Sequence, residues 1–278
     1  MINLTEKAYA KLNLCLQVGE VLANGYHAVE SVMQSISLFD TVILKRGGSI
    51  SLSVGSSRIP TDSRNLAYKA AELFFKESGI AGGVDMELIK SIPVCAGLGG
   101  GSADAAAVLR GLNRLYGTPF SLDRLTQLGA ELGADVPFCI RGGSAFATGV
   151  GDILEPLPHI KLYYVLIFDR TLLSTPKMYA ALDKGQKSPC YADACRKAVL
   201  GGDREGAAAL AANSFLFVAK EACSAIDKNI NALLENGAVS ATITGKGPTV
   251  FGVFTDEEAA KRCAKQVRGR FCYSLKAL

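Results

Sequence analysis

The chain has 278 residues, 49% hydrophobic and 20% charged, which excludes a disordered protein and allows one large or two modest domains around a sizeable core. A net charge of +4, with Lys and Arg scattered rather than blocked, leaves no footprint for nucleic acid. The eight cysteines include no C-x-x-C pair and only two histidines accompany them, so buried reduced thiols are expected rather than a zinc site.

The opening Met1-Ile2-Asn3-Leu4-Thr5-Glu6-Lys7 lacks the basic-then-apolar layout of a secretion signal, and no apolar run reaches membrane-spanning length, so cytoplasmic residence is expected. Residues 7–18 alternate loosely in β-compatible residues, and 28–44 form a longer strand region. Gly47-Gly48 separates it from a short strand at 50–54, as in a hairpin. Asp62 and Ser63 are candidate caps for a helix whose Leu66, Ala70, Leu73 and Phe74 recur at helical spacing and which stops before Gly79. A strand at 84–89 leads into a glycine-rich loop. Ala105, Val108, Leu109, Leu112 and Leu115 then give one apolar helix face, closed by Gly117 and Pro119. Ser121 or Asp123 caps a further helix ending near 133–137, a strand around 144–148 closes this half, and Pro156 and Pro158 mark a boundary. Beyond it lie a strand at 162–168, helices around 176–183, 203–212 and 221–235, strands at 238–243 and 250–254, a helix near Asp256 and a strand near 271–277. Strands and helices mixed without regular βα alternation point to an α+β fold.

The most informative stretch is Pro93-Val94-Cys95-Ala96-Gly97-Leu98-Gly99-Gly100-Gly101-Ser102-Ala103. Glycine permits positive φ and leaves no Cβ between backbone and ligand. A helix starting there aims unpaired N–H groups and its positive dipole end into the loop, which favours a phosphate. The Walker pattern G-x-x-x-x-G-K-[ST] is not met, because Gly101 is followed by Ser102-Ala103, and a dinucleotide fingerprint fails because Ser102 stands at its third glycine. What remains is a wrap-around loop ending in a serine hydroxyl suited to a phosphate oxygen or Mg²⁺.

Three smaller constellations accompany it. Lys11 and Asn13 share one face of a strand in Ala10-Lys11-Leu12-Asn13-Leu14, either solvent-facing on an edge or turned into a site. Asp135, in Gly133-Ala134-Asp135-Val136-Pro137, suits a cap or turn as well as chemistry. Asn24-Gly25-Tyr26-His27 is a turn displaying an aromatic ring and an imidazole.

Together with Thr244-Gly245-Lys246-Gly247-Pro248-Thr249, these pieces resemble the GHMP kinase superfamily, in order from near residue 6 to about 255. The resemblance implies an ATP-dependent small-molecule kinase. Its fold would have two parts: an N-terminal nucleotide-binding α+β domain at 1–155 and a C-terminal ferredoxin-like domain at 156–278. By motif match, Asp135 would be the catalytic base and Lys11 its partner. A carboxylate can take the proton of an attacking alcohol, and an ammonium stabilises charge spreading over the transferred group. Residues 93–103 would wrap the triphosphate and its accompanying Mg²⁺, with Asn65 near the adenine. The A-K-L-N-L, G-Y-H and G-A-D-V-P combination narrows the resemblance to members acting on a cytidine-diphosphate-linked methylerythritol. Tyr26 and Tyr179 would stack on the cytosine, His27 would hydrogen-bond it, and Asn13 would add a substrate contact.

The chain departs from the superfamily pattern in three places. Leu22-Ala23-Asn24 stands where R-x-D is common, Lys246 replaces a small hydroxyl residue, and Ala103 replaces a second serine. The rival expectations are a homoserine- or mevalonate-type kinase, which needs no cytosine clamp, and a non-catalytic nucleotide binder, which needs neither Lys11 nor Asp135. A monomer or a homodimer is expected.

Overall fold

The computed structural model describes residues 3–23, 25–56 and 58–276. Asn24 of the Tyr-His turn, Met1 and Ile2, and the end of the strand expected at 271–277 lie outside the described residues. Long β-compatible runs build the first sheet. Strands β1 (Asn3–Val21) and β2 (His27–Gly47) pair antiparallel from Asn3↔Lys45 to Val21↔His27, joined by a turn in which Gly25 has φ +80°. Strand β4 (Gly83–Ile89) pairs antiparallel with the other edge of β2.

The hairpin expected across Gly47-Gly48 does not form, because residues 41–45 of β2 already pair with β1 on one edge and β4 on the other. Strand β3 (Ser51–Val54) instead lies parallel to β4 at the sheet margin. Strands β5 (Ser144–Thr148) and β6 (Ile153–Leu157) extend the sheet from β2. β6 was not expected, since two prolines mark that stretch. It pairs only with β5, and an edge strand tolerates Pro156. The expected domain boundary at 155/156 falls inside it.

Helices α1 (Leu66–Ser78), α2 (Gly100–Leu115), α3 (Leu122–Leu132) and α4 (Val136–Arg141) accompany this sheet. The α2 face of Ala105, Val108, Leu109 and Leu112 is fully buried, and a Cβ on Gly111 would fall 2.3 Å from Leu44 Cδ1, so the helix rests directly on β2. Asn65, rather than Asp62 or Ser63, caps α1: its side-chain oxygen accepts from Ala67 N at 2.9 Å, while Asp62 pairs with Arg64. Ser121 caps α3. The six-residue α4 is too short to show a helical period in sequence.

The second half carries an antiparallel sheet of β7 (Tyr163–Ile167), β9 (Ser240–Ile243), β10 (Val250–Phe254) and β11 (Arg270–Tyr273), in the order β11-β7-β10-β9. With α9 (Ala225–Glu235) and α10 (Glu257–Gln266) packed on it, this is the ferredoxin-like arrangement. The chain between β7 and β9 also holds α5 (Thr175–Lys184), α6 (Ala192–Leu200), α7 (Arg204–Ala209) and α8 (Leu216–Ala222). The helix expected at 221–235 is thus two, broken where Cys223 turns extended (φ −147°, ψ 101°), and α6 was not expected.

The halves are stitched together. Strand β8 (Ala212–Asn213) joins the first sheet parallel to β1 at Cys15↔Ala212, and Leu275 N donates to Ser35 O at 2.9 Å. Seven cysteines are buried, whereas Cys95, expected to be buried, is exposed in the glycine loop. No helix among the described residues is long and apolar enough to cross a membrane.

Candidate active site

Where the halves meet, three segments far apart in sequence interlock. Lys11 N on β1 donates to Leu98 O at 3.0 Å, and Asn13 N donates to Thr244 Oγ1 at 3.2 Å. Thr244 Oγ1 in turn donates to Gly97 O at 3.2 Å. The glycines here answer to packing as well as to a ligand. A Cβ on Gly97 (φ +76°) would meet Thr244 O at 2.4 Å, and one on Gly99 (φ +68°) would press on the Lys11 stem at 3.0 Å.

Lys11 and Asn13 are buried, not solvent-facing. Lys11 Nζ donates to Asn13 Oδ1 at 2.8 Å and stands 3.2 Å from Asp135 Oδ2. Asn13 Oδ1 also accepts from Gly245 N at 3.1 Å, while its amide nitrogen donates to Ser31 Oγ at 2.8 Å. Every polar atom of that side chain is thereby assigned, which fixes the ammonium it holds. Asp135 occupies the N-cap position of α4 but makes no capping hydrogen bond, so its carboxylate is free to face Lys11. Its side chain is 36% exposed, against 6% for Lys11.

Two cavities adjoin this junction. One, of about 380 Å³, has Lys11, Asn13, Asp135, Tyr179 and Phe215 in its wall. The other, of about 570 Å³, is walled by Asn65 and by every residue from Pro93 to Ser102; Ala103 turns into the core. Helix α2 begins there with Gly99 as its N-cap and no side-chain cap, leaving its first N–H groups for an anion. The Ser102 hydroxyl engages no protein partner among the described residues and belongs to both cavity walls. Asn65 also lines the larger cavity, but its side chain is already bound to Ala67 N and Pro60 O.

On the far side of the smaller cavity the Tyr179 ring packs edge-on against Phe215, with centroids 4.9 Å apart. Its other neighbour is the His27 imidazole, stacked at 4.8 Å, whose Nε2 lies 2.6 Å from Asp183 Oδ1. Tyr26 is exposed, and neither it nor His27 is among the residues lining the cavity. Asp183, one turn after Tyr179 on α5, has no sequence signal of its own.

Sequence reasoning also missed a charged cluster beneath the glycine loop. Lys90 Nζ lies 2.5 Å from a carboxylate oxygen of both Asp40 and Asp104. Asp40 Oδ1 further accepts from Ser91 N and Ile92 N. Asp104 Oδ1 is buried without a partner among the described residues. Burial, reinforced by the Asp40 charge and opposed by Lys90, pushes the Asp104 carboxyl up to about 7. Burial pulls Lys90 down, but the two carboxylates outweigh it and hold the ammonium above its usual range. Asn213 was missed as well: fully buried, it donates to Ile243 O and Gly245 O and so props the second glycine turn.

A glycine-rich loop opening a helix, an ion pair between buried Lys11 and partly exposed Asp135, and the two adjoining cavities form a candidate phosphotransfer site. Residues 65–143 match the GHMP kinases N terminal domain and 193–273 match GHMP kinases C terminal. The chain is 37% identical to 4-diphosphocytidyl-2-C-methyl-D-erythritol kinase of Clostridium tetani (strain Massachusetts / E88), covering 95% of this chain and 96% of the relative. It is 41% identical to that of Pelotomaculum thermopropionicum (strain DSM 13744 / JCM 10971 / SI), covering 95% and 94%. A crystal structure of 4-(cytidine 5'-diphospho)-2C-methyl-D-erythritol kinase superposes with TM-score 0.83 at 32% identity, covering 98% of each chain. Homoserine kinase from Cytophaga hutchinsonii ATCC 33406 shares the fold alone, at TM-score 0.76 and 18% identity, over 99% of this chain and 95% of that one. The chain belongs to the GHMP kinase family, ATP-using kinases of small alcohols.

Proposed function

We propose that the chain phosphorylates the 2-hydroxyl of 4-diphosphocytidyl-2-C-methyl-D-erythritol with ATP, a step of the non-mevalonate isoprenoid precursor route. The observation that carries the chemistry is the Lys11–Asp135 pair, 3.2 Å apart in the wall of one cavity and beside a second walled by the glycine loop. The choice of alcohol is supported by relatives of that name at 37% and 41% identity over nearly the whole chain.

In this reading residues 1–155 hold ATP and 156–278 complete the cleft. The loop backbone and the first N–H groups of α2 take the triphosphate, with the adenine near Asn65. Asp135 accepts the hydroxyl proton as the oxygen attacks the γ-phosphorus, and Lys11 faces the charge that develops. Tyr179 offers a face to the cytosine, and Tyr26 and His27 supply the remaining contacts to the base, with Asn13 holding Lys11 and the substrate together. A Mg²⁺ carried by ATP fits this donor set. Mg²⁺ takes most of its ligands from phosphate and water, and the unpartnered Ser102 hydroxyl is one hard oxygen beside them. Bound there, it would neutralise charge on the β- and γ-phosphates.

ADP release measured over a panel of alcohols tests the assignment. Turnover is expected with the cytidine-diphosphate-linked substrate and not with homoserine or mevalonate; the reverse pattern would reject it.

A further inference from the structure

Lys246 is the residue at which this chain departs from the small hydroxyl usual in the second glycine turn, and its surroundings are specific. Its backbone neighbours are clamped: Gly245 N is bound to Asn13 Oδ1, Gly245 O to Asn213, and Gly247 N to Thr244 O. The half-buried side chain ends in a hydrogen bond from Nζ to Thr175 Oγ1, at the start of α5, and no carboxylate pairs with it among the described residues.

The residues common to the walls of both cavities are Gly97, Gly99, Ser102, Thr175 and Lys246, and of these Lys246 alone carries a charge. Resting on the reading of the larger cavity as the ATP site and the smaller as the alcohol site, a phosphoryl group in transfer crosses this junction. Burial also draws the Lys246 pKa below the usual lysine value, as expected for an ammonium partly stripped of water with no anion beside it.

We propose that Lys246 is a catalytic residue whose ammonium contacts the γ-phosphoryl group in transit, a second cation besides Lys11. The alcohol oxygen forms its bond to the γ-phosphorus as the bond from that phosphorus to the bridging oxygen breaks. The bonding pair stays on the β-phosphate of ADP, the alcohol proton goes to Asp135, and Lys246 keeps its own protons throughout. It acts through charge alone, in a cleft where solvent screens it less than at an open surface.

The test compares K246M, K246R and T175V with the parent protein by steady-state kinetics and by calorimetric binding of ADP and of a β,γ-imido analogue of ATP. K246M is expected to lower kcat by roughly a hundredfold, the low end of the range for losing one transition-state donor. It should also weaken the imido analogue several-fold while leaving ADP binding within about twofold, because only the analogue has a γ-phosphoryl group. K246R is expected to recover most of the loss, and T175V, which keeps the ammonium, to lose less than K246M. An unchanged kcat in K246M would overturn the proposal, as would equal weakening of ADP and analogue or a T175V defect as large as that of K246M. If the parent protein bound neither nucleotide, the ATP-site reading itself would fail and the proposal with it.

Discussion

The two cavities are built from different materials. The larger is walled mostly by one continuous segment, residues 93–102, and that segment presents backbone: glycines, the uncapped end of α2 and, beside them, the Ser102 hydroxyl. The smaller is assembled from side chains on β1, the turn before α4, α5 and the second glycine turn, so Lys11 and Asp135 meet across 124 positions of sequence. In the proposed function, backbone recognition suits the polyanionic part of ATP, and the side-chain cavity would carry the choice of alcohol.

The sharpest way to break the comparison is at Asp135. Asp135→Asn should lower kcat by roughly 10²–10⁴ with ATP binding nearly intact, as for loss of a general base. Near-normal turnover in a single-turnover assay would remove Asp135 from that role. Gly97→Ala comes next, because it strikes both cavities: the new methyl meets Thr244 O at 2.4 Å on a residue with φ +76°. A loss of about 2–3 kcal/mol in urea unfolding is expected, from backbone strain and the clash together. Gly101→Ala is its control. There the methyl meets only Leu66 Cδ1 at 3.6 Å within a helix, so stability should hold or rise by up to about 1 kcal/mol.

Tyr179→Ala probes the side-chain cavity. It should raise KM for the cytidine substrate by roughly 1–3 kcal/mol of lost stacking and leave the ATP KM little changed. Equal rises in both would deny the ring its place on the base. A last test concerns the pH dependence of the cluster beneath the glycine loop. The folded-state pKa of Asp104 is raised to about 7, so folding binds its proton more tightly than the unfolded chain does. Its contribution to stability is therefore complete below the unfolded carboxylate value near ~4. It is lost as pH rises toward 7 and stays level above. Asp104→Asn should flatten that part of the stability–pH curve, measured by urea unfolding from pH 4 to 8.

Much of the fold was legible because its elements are long and periodic. The β1–β2 region, α1, α2 and the β9-turn-β10 unit each run far enough to show their period or their flanking glycines. The misses are short or depend on neighbours: β6 survives its proline only as an edge, α4 spans six residues, and β3 was diverted because both edges of β2 were occupied. At the site, local chemistry marked out the glycine loop that walls the larger cavity. The Asp40–Lys90–Asp104 cluster, the Asp183 contact to His27 and the Asn213 prop were not, since each joins residues that no local pattern links.

By itself, then, the sequence determined an α+β chain with a glycine-rich loop opening a helix. Those properties follow from backbone freedom, helix ends and periodicity, all of them local. Only the tertiary structure decided that Lys11 faces Asp135, that Gly97 must be glycine because the Thr244 carbonyl of the second glycine turn abuts it, and that Lys246 stands where the two cavities join. Those facts depend on which segments pack together, and burial and charge at such meetings are properties of the packed neighbours rather than of any one stretch of chain.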